Sequence, residues 1–375
     1  MTLVLALNAG SSTLKYTLYR CDEAGEHELG AATLRAPGSY AEALSDLLQL
    51  LPANLGEPIT LVGHRLVHGG ELTDPVLVDV NVLGRLRQLA PLAPLHLPPA
   101  LELLQAALER LPRARHVACF DTAFHRDLPE VARRFALSDA LYESGIRRYG
   151  FHGLSYQYVL SALGSPLPSR LIVAHLGGGA SVAAIRDGRC VDTSMGFTPT
   201  GGIPMGTRSG DLDPGILLHL LRERGWSAEQ LEQLLNHESG LLGVGGSAQM
   251  SDLLAREASG DARARAAIQL FCYALKKQIG AYAAALGGLD CVVFTGGIGE
   301  HAPRVRELSC AGLGFLGIRL DTEKNAQNAA SISASDASCM VRVLATNEDL
   351  MICRSALAAA RAEPASAAGA SHVHS

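Results

Sequence analysis

Leu3-Val-Leu-Ala-Leu-Asn-Ala-Gly-Ser-Ser-Thr-Leu-Lys-Tyr-Thr-Leu-Tyr19 is an apolar run, a turn of small residues, and a second run. In the second run Leu14, Tyr16 and Leu18 share one face through a period of two. The figure returns as Leu171-Ile-Val-Ala-His-Leu-Gly-Gly-Gly-Ala-Ser-Val-Ala-Ala-Ile185. Two copies of one strand–turn–strand unit predict a duplicated fold with a cleft between its halves.

Helices fill the intervals. Ser39-x-x-Glu42 has the form of a capping box ahead of Leu44, Leu47, Leu48 and Leu51, and Ser227-x-x-Gln230 opens a second helix. A longer helix is expected over 262–286, with Ile268, Cys272, Leu275, Ile279, Tyr282 and Leu286 on its apolar stripe. It runs into an apolar strand, Cys291-Val-Val-Phe-Thr295, and then the turn Gly296-Gly-Ile-Gly-Glu300. The alternation is that of an α/β protein. The Ala/Ser-rich tail, 363–375, reads as disordered.

The 375 residues suffice for two lobes, and a net charge of −5 gives no footprint for nucleic acid. Eight cysteines without any C-x-x-C read as reduced thiols of an intracellular protein rather than a disulfide frame or zinc site. Leu3–Leu7 has no basic leader and is too short for a signal sequence, and no apolar stretch reaches membrane-spanning length.

Small residues between strands let main-chain N–H groups approach phosphate oxygens. Three such turns, 8–13, 177–181 and 296–299, point to a phosphate clamp, although any one of them alone would read as an ordinary turn. Lys15 supplies a compact positive charge beside the first. No G-x-x-x-x-G-K-[ST] occurs, and the G-x-G-x-x-G at Gly312–Gly317 lacks a preceding strand and reads as a structural turn. Arg, His and Asp concentrate in Gly- and Pro-framed loops of a chain otherwise poor in charge, a pattern that favours a site over isolated structural hydrogen bonds.

Those loops carry a specific resemblance. Asn8-Ala-Gly-Ser-Ser-Thr-Leu-Lys15, His64-Arg-Leu-Val-His-Gly-Gly70, Phe120-Asp-Thr-Ala-Phe-His125 and Arg148-Tyr-Gly-Phe-His-Gly153 resemble successive signatures of the acetate kinase family. Asp192-Thr-Ser-Met-Gly-Phe-Thr-Pro199, Met205-Gly-Thr-Arg-Ser-Gly-Asp211 and Thr346-Asn-Glu348 continue the series in the same order. The resemblance implies a two-lobed, duplicated ribonuclease H-like (actin-like ATPase) α/β fold with a central cleft. One lobe would comprise 1–122 and 349–362, and the other, carrying the nucleotide site, 123–348. It implies Mg²⁺-dependent (or Mn²⁺-dependent), reversible phosphoryl transfer from ATP to acetate, giving acetyl phosphate and ADP, by a cytoplasmic homodimer.

It also implies roles. Asn8 and Glu348 would hold the metal, and Ser11, Thr13 and Lys15 would line the phosphate side. His175, Gly177, Gly178 and Gly179 would grip the donor phosphates, with Gly297, Ile298, Gly299, Glu300 and His301 completing the nucleotide site. Arg65 would hold the acid, with Val67, Leu95, Phe151 and Pro199 around its methyl group. Asp121, His152 and Arg208 would act on the transfer. A small carboxylic acid is already ionised at neutral pH, so Asp121 is expected to orient an arginine or a metal-bound water rather than serve as a base.

The chain departs from the family with Thr13 for Ser, Leu97 for Asn, Tyr156 for His, Gly178 for Asn, and His301 for Asn. Gln249-Met-Ser251 stands where acid-x-Arg meets the nucleoside. The alternatives are a propionate kinase, since one methylene is worth only about 1–3 kcal/mol, the same chemistry with another phosphoryl donor, and a non-catalytic nucleotide-binding regulator.

Overall fold

The computed structural model describes residues 1–10, 13–35, 39–51, 55–94 and 96–362. Ser11, Leu95 and the tail 363–375, all singled out in the sequence, lie outside the described residues. The chain divides into two compact units, Met1–Ala123 with Asn347–Ser375, and Phe124–Thr346. This division puts Asn347 and Glu348 in the first unit, where the sequence reading had put them in the second lobe.

In the first unit, β1 (Thr2–Ala9) and β2 (Thr13–Asp22) form the antiparallel pair expected from the opening residues, joined at Ala9↔Leu14. With β3 (Gly25–Arg35), β4 (Ile59–Leu66), β5 (Val76–Leu77) and β6 (Arg115–Phe120) they give a sheet ordered β3-β2-β1-β4-β6-β5. In the second, β7 (Arg170–Leu176) and β8 (Ala180–Arg186) repeat the hairpin. With β9 (Arg189–Thr193), β10 (Cys291–Thr295) and β11 (Met340–Val343) they give the order β11-β10-β7-β8-β9.

The duplication extends well beyond the hairpins. In both sheets a three-strand antiparallel meander (β1-β2-β3 and β7-β8-β9) has its first strand joined in parallel to a later one (β4 and β10). That strand is in turn parallel to a fifth, β6 or β11. This is the ribonuclease H-like arrangement, found twice.

Helices cover the sheets. Leu14, Tyr16 and Leu18 pack, as their period predicts, under the helices Tyr40–Leu50 and Leu97–Arg110. The alternate residues Thr17 and Tyr19 are buried as well, at 3% exposure each, because the terminal helix Glu348–Ala362 covers the opposite face. That helix lies so close to β4 that a Cβ on Gly63 would meet Ile352 Cγ2 at 2.5 Å. The long helix runs over Ala262–Leu286, as expected, and packs on β7 and β8.

Two local expectations are corrected. Ser39 caps its helix by accepting from the Ala41 and Glu42 N–H groups, but among the described residues the Glu42 side chain makes no return bond to the Ser39 N–H; Glu102 instead accepts from the Ser39 hydroxyl and the Tyr40 N–H, at 3.0 and 2.9 Å. The glycine turn after β10 is instead the short helix Gly296–His301, entered through Gly296 at φ 77°. A side chain at Gly296 would also meet the Leu176 carbonyl at 2.7 Å, so glycine is required there on two counts.

Candidate active site

The first unit assembles Asn8, Arg65, Asp121 and Glu348 at strand and helix ends. Asn8 closes β1, Arg65 lies near the end of β4, Asp121 follows β6, and Glu348 begins the terminal helix. Parallel β1, β4 and β6 end on the same edge of the sheet, which is why residues so distant in sequence converge. Arg65 Nε and Nη2 donate to the Asp121 carboxylate at 3.0 and 2.7 Å, a two-pronged pair with Asp121 fully buried. Arg65 Nη1 donates to Asn8 Oδ1 at 3.1 Å and lies 3.5 Å from Glu348 Oε2. Burial disfavours the Arg65 charge, but Asp121 and Glu348 outweigh it and push its pKa above the ordinary value. Asp121 sits against an arginine.

Next to this set, Thr17 Oγ1 donates to Asp349 Oδ2 at 2.9 Å, and Lys15 Nζ stands 4.0 Å from the same oxygen. Asp349 Oδ1 is buried without a hydrogen-bond partner among the described residues. Sequence reading missed Thr17 and Asp349. Thr13 Oγ1 crowds Gly10, where a Cβ would meet it at 2.6 Å.

The second unit assembles His152, His175, Gly179 and Arg208. His152 adopts a left-handed backbone (φ 59°, ψ 24°) at the N-cap of the helix Gly153–Leu163, a conformation that costs free energy for any residue with a Cβ. This geometry presents its ring to the β7–β8 turn. The His152 and His175 rings stack with centroids 4.3 Å apart. A Cβ on Gly179 would lie 3.3 Å from His152 Nε2 and 3.5 Å from Arg208 Nη1, so the glycine keeps open a space on which both groups converge. Arg208 Nη1 also donates to the Pro199 carbonyl at 3.1 Å. The turn is tied to the Arg208 loop by Gly206 N–H donating to the Gly178 carbonyl at 3.2 Å.

A pocket of about 310 Å³ opens beside this turn, lined by Gly177 and Gly178, by Ala248, Gln249, Met250, Ser251 and Leu254, and by Gly297, Ile298, His301 and Ala302. Gln249, Ser251 and His301, the positions expected from the sequence to face the nucleoside, line one cavity together with Gly178. Gly299 and Glu300 do not line it. Their carbonyls accept from the buried Arg306 at 2.7 and 3.0 Å, and Gly299 is backed by Phe294. Burial lowers the Arg306 pKa to about 10, still well above neutrality.

Val67 lies in the first unit, and Phe151 and Pro199 in the second; Val67 and Phe151 are buried. Three other residues of the sequence clusters, His64, His125 and Arg148, make internal hydrogen bonds. His64 Nε2 meets His116 Nδ1 at 3.0 Å, and burial lowers both pKa values. Arg148 donates to the carbonyls of Ala132, Thr193, Ser194 and Met195, and His125 is bonded to the Phe151 carbonyl at 2.9 Å.

For a divalent cation the first unit offers hard oxygen donors, Asn8 Oδ1 and Glu348 Oε2, with Asp349 Oδ1 unspent nearby. No cluster of three or more His, Cys, Asp or Glu able to hold a metal occurs among the described residues. One or two protein oxygens suit Mg²⁺, which keeps waters and phosphate oxygens as most of its ligands.

Known proteins resemble this chain along most of its length. The model of the Acetokinase family matches residues 25–354. An acetate kinase of Leifsonia xyli subsp. xyli is 45% identical over 397 residues, covering 96% of this chain and 100% of that one. The crystal structure of Porphyromonas gingivalis acetate kinase superposes with a TM-score of 0.87 at 36% identity, covering 96% of this chain and 100% of that one. A propionate kinase structure from Francisella tularensis gives 0.88 at 35% identity, with the same coverage. With the family model spanning most of its length and relatives this similar end to end, the chain belongs to the acetokinase family.

Proposed function

We infer that this enzyme moves the terminal phosphoryl group of ATP reversibly onto acetate, giving acetyl phosphate and ADP. The observation that carries the reading is the pairing of chemistries. One unit holds an arginine locked on a buried carboxylate beside oxygen donors, and the other brings a histidine and an arginine onto a glycine turn next to a pocket.

In this reading a carboxylate oxygen of the acid attacks the γ-phosphorus, and the bond from that phosphorus to the β–γ bridging oxygen breaks. No proton need be removed, because the acid is ionised already. Arg65, with its fork fixed by Asp121, holds the acid through its remaining N–H capacity. His152 and Arg208 donate to the equatorial oxygens, where charge is greatest in transfer. Gly177, Gly178 and Gly179 let main-chain N–H groups reach the donor phosphates, and Gln249, Ser251 and His301 face the nucleoside. Asn8 and Glu348 would hold Mg²⁺, which would neutralise charge on the phosphates. Val67, Phe151 and Pro199 surround the methyl group.

The family's propionate kinase structure supports a second reading, in which the three-carbon acid is preferred. The homodimer and the cytoplasmic setting implied by the resemblance are further proposals; no helix among the described residues is long and apolar enough to cross a membrane. A hydroxamate assay with acetate, propionate and butyrate, run with and without Mg²⁺, tests the reading. Mg²⁺-dependent acyl phosphate from acetate supports it. A kcat/KM for propionate above that for acetate replaces the substrate. No turnover with any acid or donor would leave a nucleotide-binding regulator.

A further inference from the structure

Arg306 is fully buried, and its guanidinium meets neutral oxygens on every side. Nη1 donates to the carbonyls of Gly299 at 2.7 Å and Glu300 at 3.0 Å. Nη2 donates to the Asn325 carbonyl at 2.8 Å and to Asn328 Oδ1 at 2.6 Å, and Nε donates to Asn325 Oδ1 at 2.8 Å. A guanidinium has five N–H groups in a fixed fork, and these five bonds use them all. The Asn325 amide is held with its oxygen toward the arginine, because its Nδ2 donates to the Pro303 carbonyl at 3.0 Å. Burial lowers the Arg306 pKa only to about 10, so the charge persists at neutral pH. Among the described residues no carboxylate pairs with it, and carbonyl-type oxygens alone offset a buried cation.

What that fork holds is one wall of the pocket. Gly299 and Glu300 belong to the helix Gly296–His301, and Gly297, Ile298, His301 and the following Ala302 line the cavity. Three of the six residues in this helix are glycine, which disfavours helix, and six residues are too few to be helical unaided. The last carbonyls of a helix also lack partners within it. Arg306 supplies those partners from the next helix, Pro303–Cys310, and puts positive charge at the negative end of the dipole. The other side of the fork is anchored on the helix Thr322–Ala326 and on Asn328, so the wall is tied to a separate element. Lysine could not replace this fork, because its three donors reach at most three of the five oxygens.

We propose that Arg306 is a positioning residue for the phosphoryl donor, holding residues 296–302 in the shape that the nucleoside part of the donor requires. It acts through that segment, since its own N–H groups are spent. The link to a donor rests on the kinase reading; the clamp itself does not.

The test compares the full-length protein with Arg306→Lys and Asn328→Gly. Asn328 sits at φ 52°, which glycine adopts freely, so its replacement removes one bond to the fork and keeps the backbone in place. That variant decides the matter should Arg306→Lys misfold. The readouts are amide hydrogen exchange over 296–302, the Kd for ATP by calorimetry with Mg²⁺ present, and the KM for acetate at saturating ATP. Exchange over 296–302 is expected to quicken about tenfold in Arg306→Lys and about threefold in Asn328→Gly. ATP affinity should fall by the same factors, about tenfold and about threefold, with the KM for acetate within about twofold. A merely structural loss would lower the active fraction and leave both affinities alone. Unchanged exchange over 296–302 overturns the clamp. Faster exchange with ATP affinity intact, or with the KM for acetate moving as far as the Kd for ATP, overturns the positioning role. The expected changes in exchange and ATP affinity in a protein that phosphorylates no acid would sustain the clamp and sink the kinase reading.

Discussion

Asp121→Asn separates an orienting carboxylate from one that shuttles a proton. The change is isosteric, but it removes the charge facing Arg65 and turns an N–H₂ group toward one of the guanidinium donors bonded at 3.0 and 2.7 Å. Removing one partner of a buried pair costs about 3–5 kcal/mol. Arg65 retains Asn8 at 3.1 Å and Glu348 at 3.5 Å, and its side chain is 18% exposed, so the low end applies, about 3 kcal/mol. If the pair exists to aim Arg65 at the acid, that loss appears in kcat/KM for acetate as roughly a hundredfold fall.

The assay is a double-mutant cycle with Arg65→Lys, read in kcat/KM for acetate at saturating ATP and Mg²⁺. Lysine keeps the charge but has no fork for Asp121 to fix. Asp121→Asn in the lysine background should then cost no more than about 1 kcal/mol, leaving a coupling of about 2 kcal/mol between the two sites. The kcat–pH profile should keep its shape, since the nucleophile needs no base. Additivity within about 0.5 kcal/mol, together with loss of one limb of that profile, would refute the orienting role and make Asp121 a proton carrier.

Three further outcomes follow from the geometry. Gly179→Ala places a methyl group 3.3 Å from His152 Nε2 and 3.5 Å from Arg208 Nη1. It should lower kcat at least about tenfold with urea stability within about 1 kcal/mol, and an unchanged kcat would show that the space is not used. The pocket beside it is lined by no charged group other than His301, when protonated, so kcat/KM for ATP and GTP at saturating acetate should differ by less than about tenfold, whereas a hundredfold preference would show a specific pocket. Burial depresses the His125 pKa from 6.5 to about 4, so between those values only the unfolded chain binds the proton and stability falls as pH falls. From pH 6.5 to 5 this residue should cost about 2 kcal/mol, a dependence that urea titrations should find missing in His125→Asn; equal pH slopes in the two proteins would contradict it.

The parts of the fold legible in the sequence are those encoded locally. The two hairpins announced themselves because period-two alternation and small-residue turns sit within twenty residues, and the long helix because its stripe recurs every three or four. Burial of Thr17 and Tyr19 could not be read that way, since it depends on a helix whose Asp349 meets Thr17 from 332 positions away. The short helix at Gly296 was hidden for the opposite reason: three glycines give no helical signal, and the conformation is set by the Leu176 backbone and by Arg306 gripping its carbonyls.

The site divides along the same line. Residue identities at loop signatures located Arg65, Asp121, His152 and Arg208, but identity does not say which donors are already spent. Asp121 takes Nε and Nη2 of Arg65, and Asn8 takes part of Nη1, so what this arginine can offer an acid is set by its neighbours. Tyr156 stood out in the sequence only as a departure from histidine, and Ser181 as a small residue beside a turn. Their contact emerges only once the helix Gly153–Leu163 is laid beside β8, because that placement brings one buried hydroxyl against another, a meeting that neither residue's own neighbours in sequence announce.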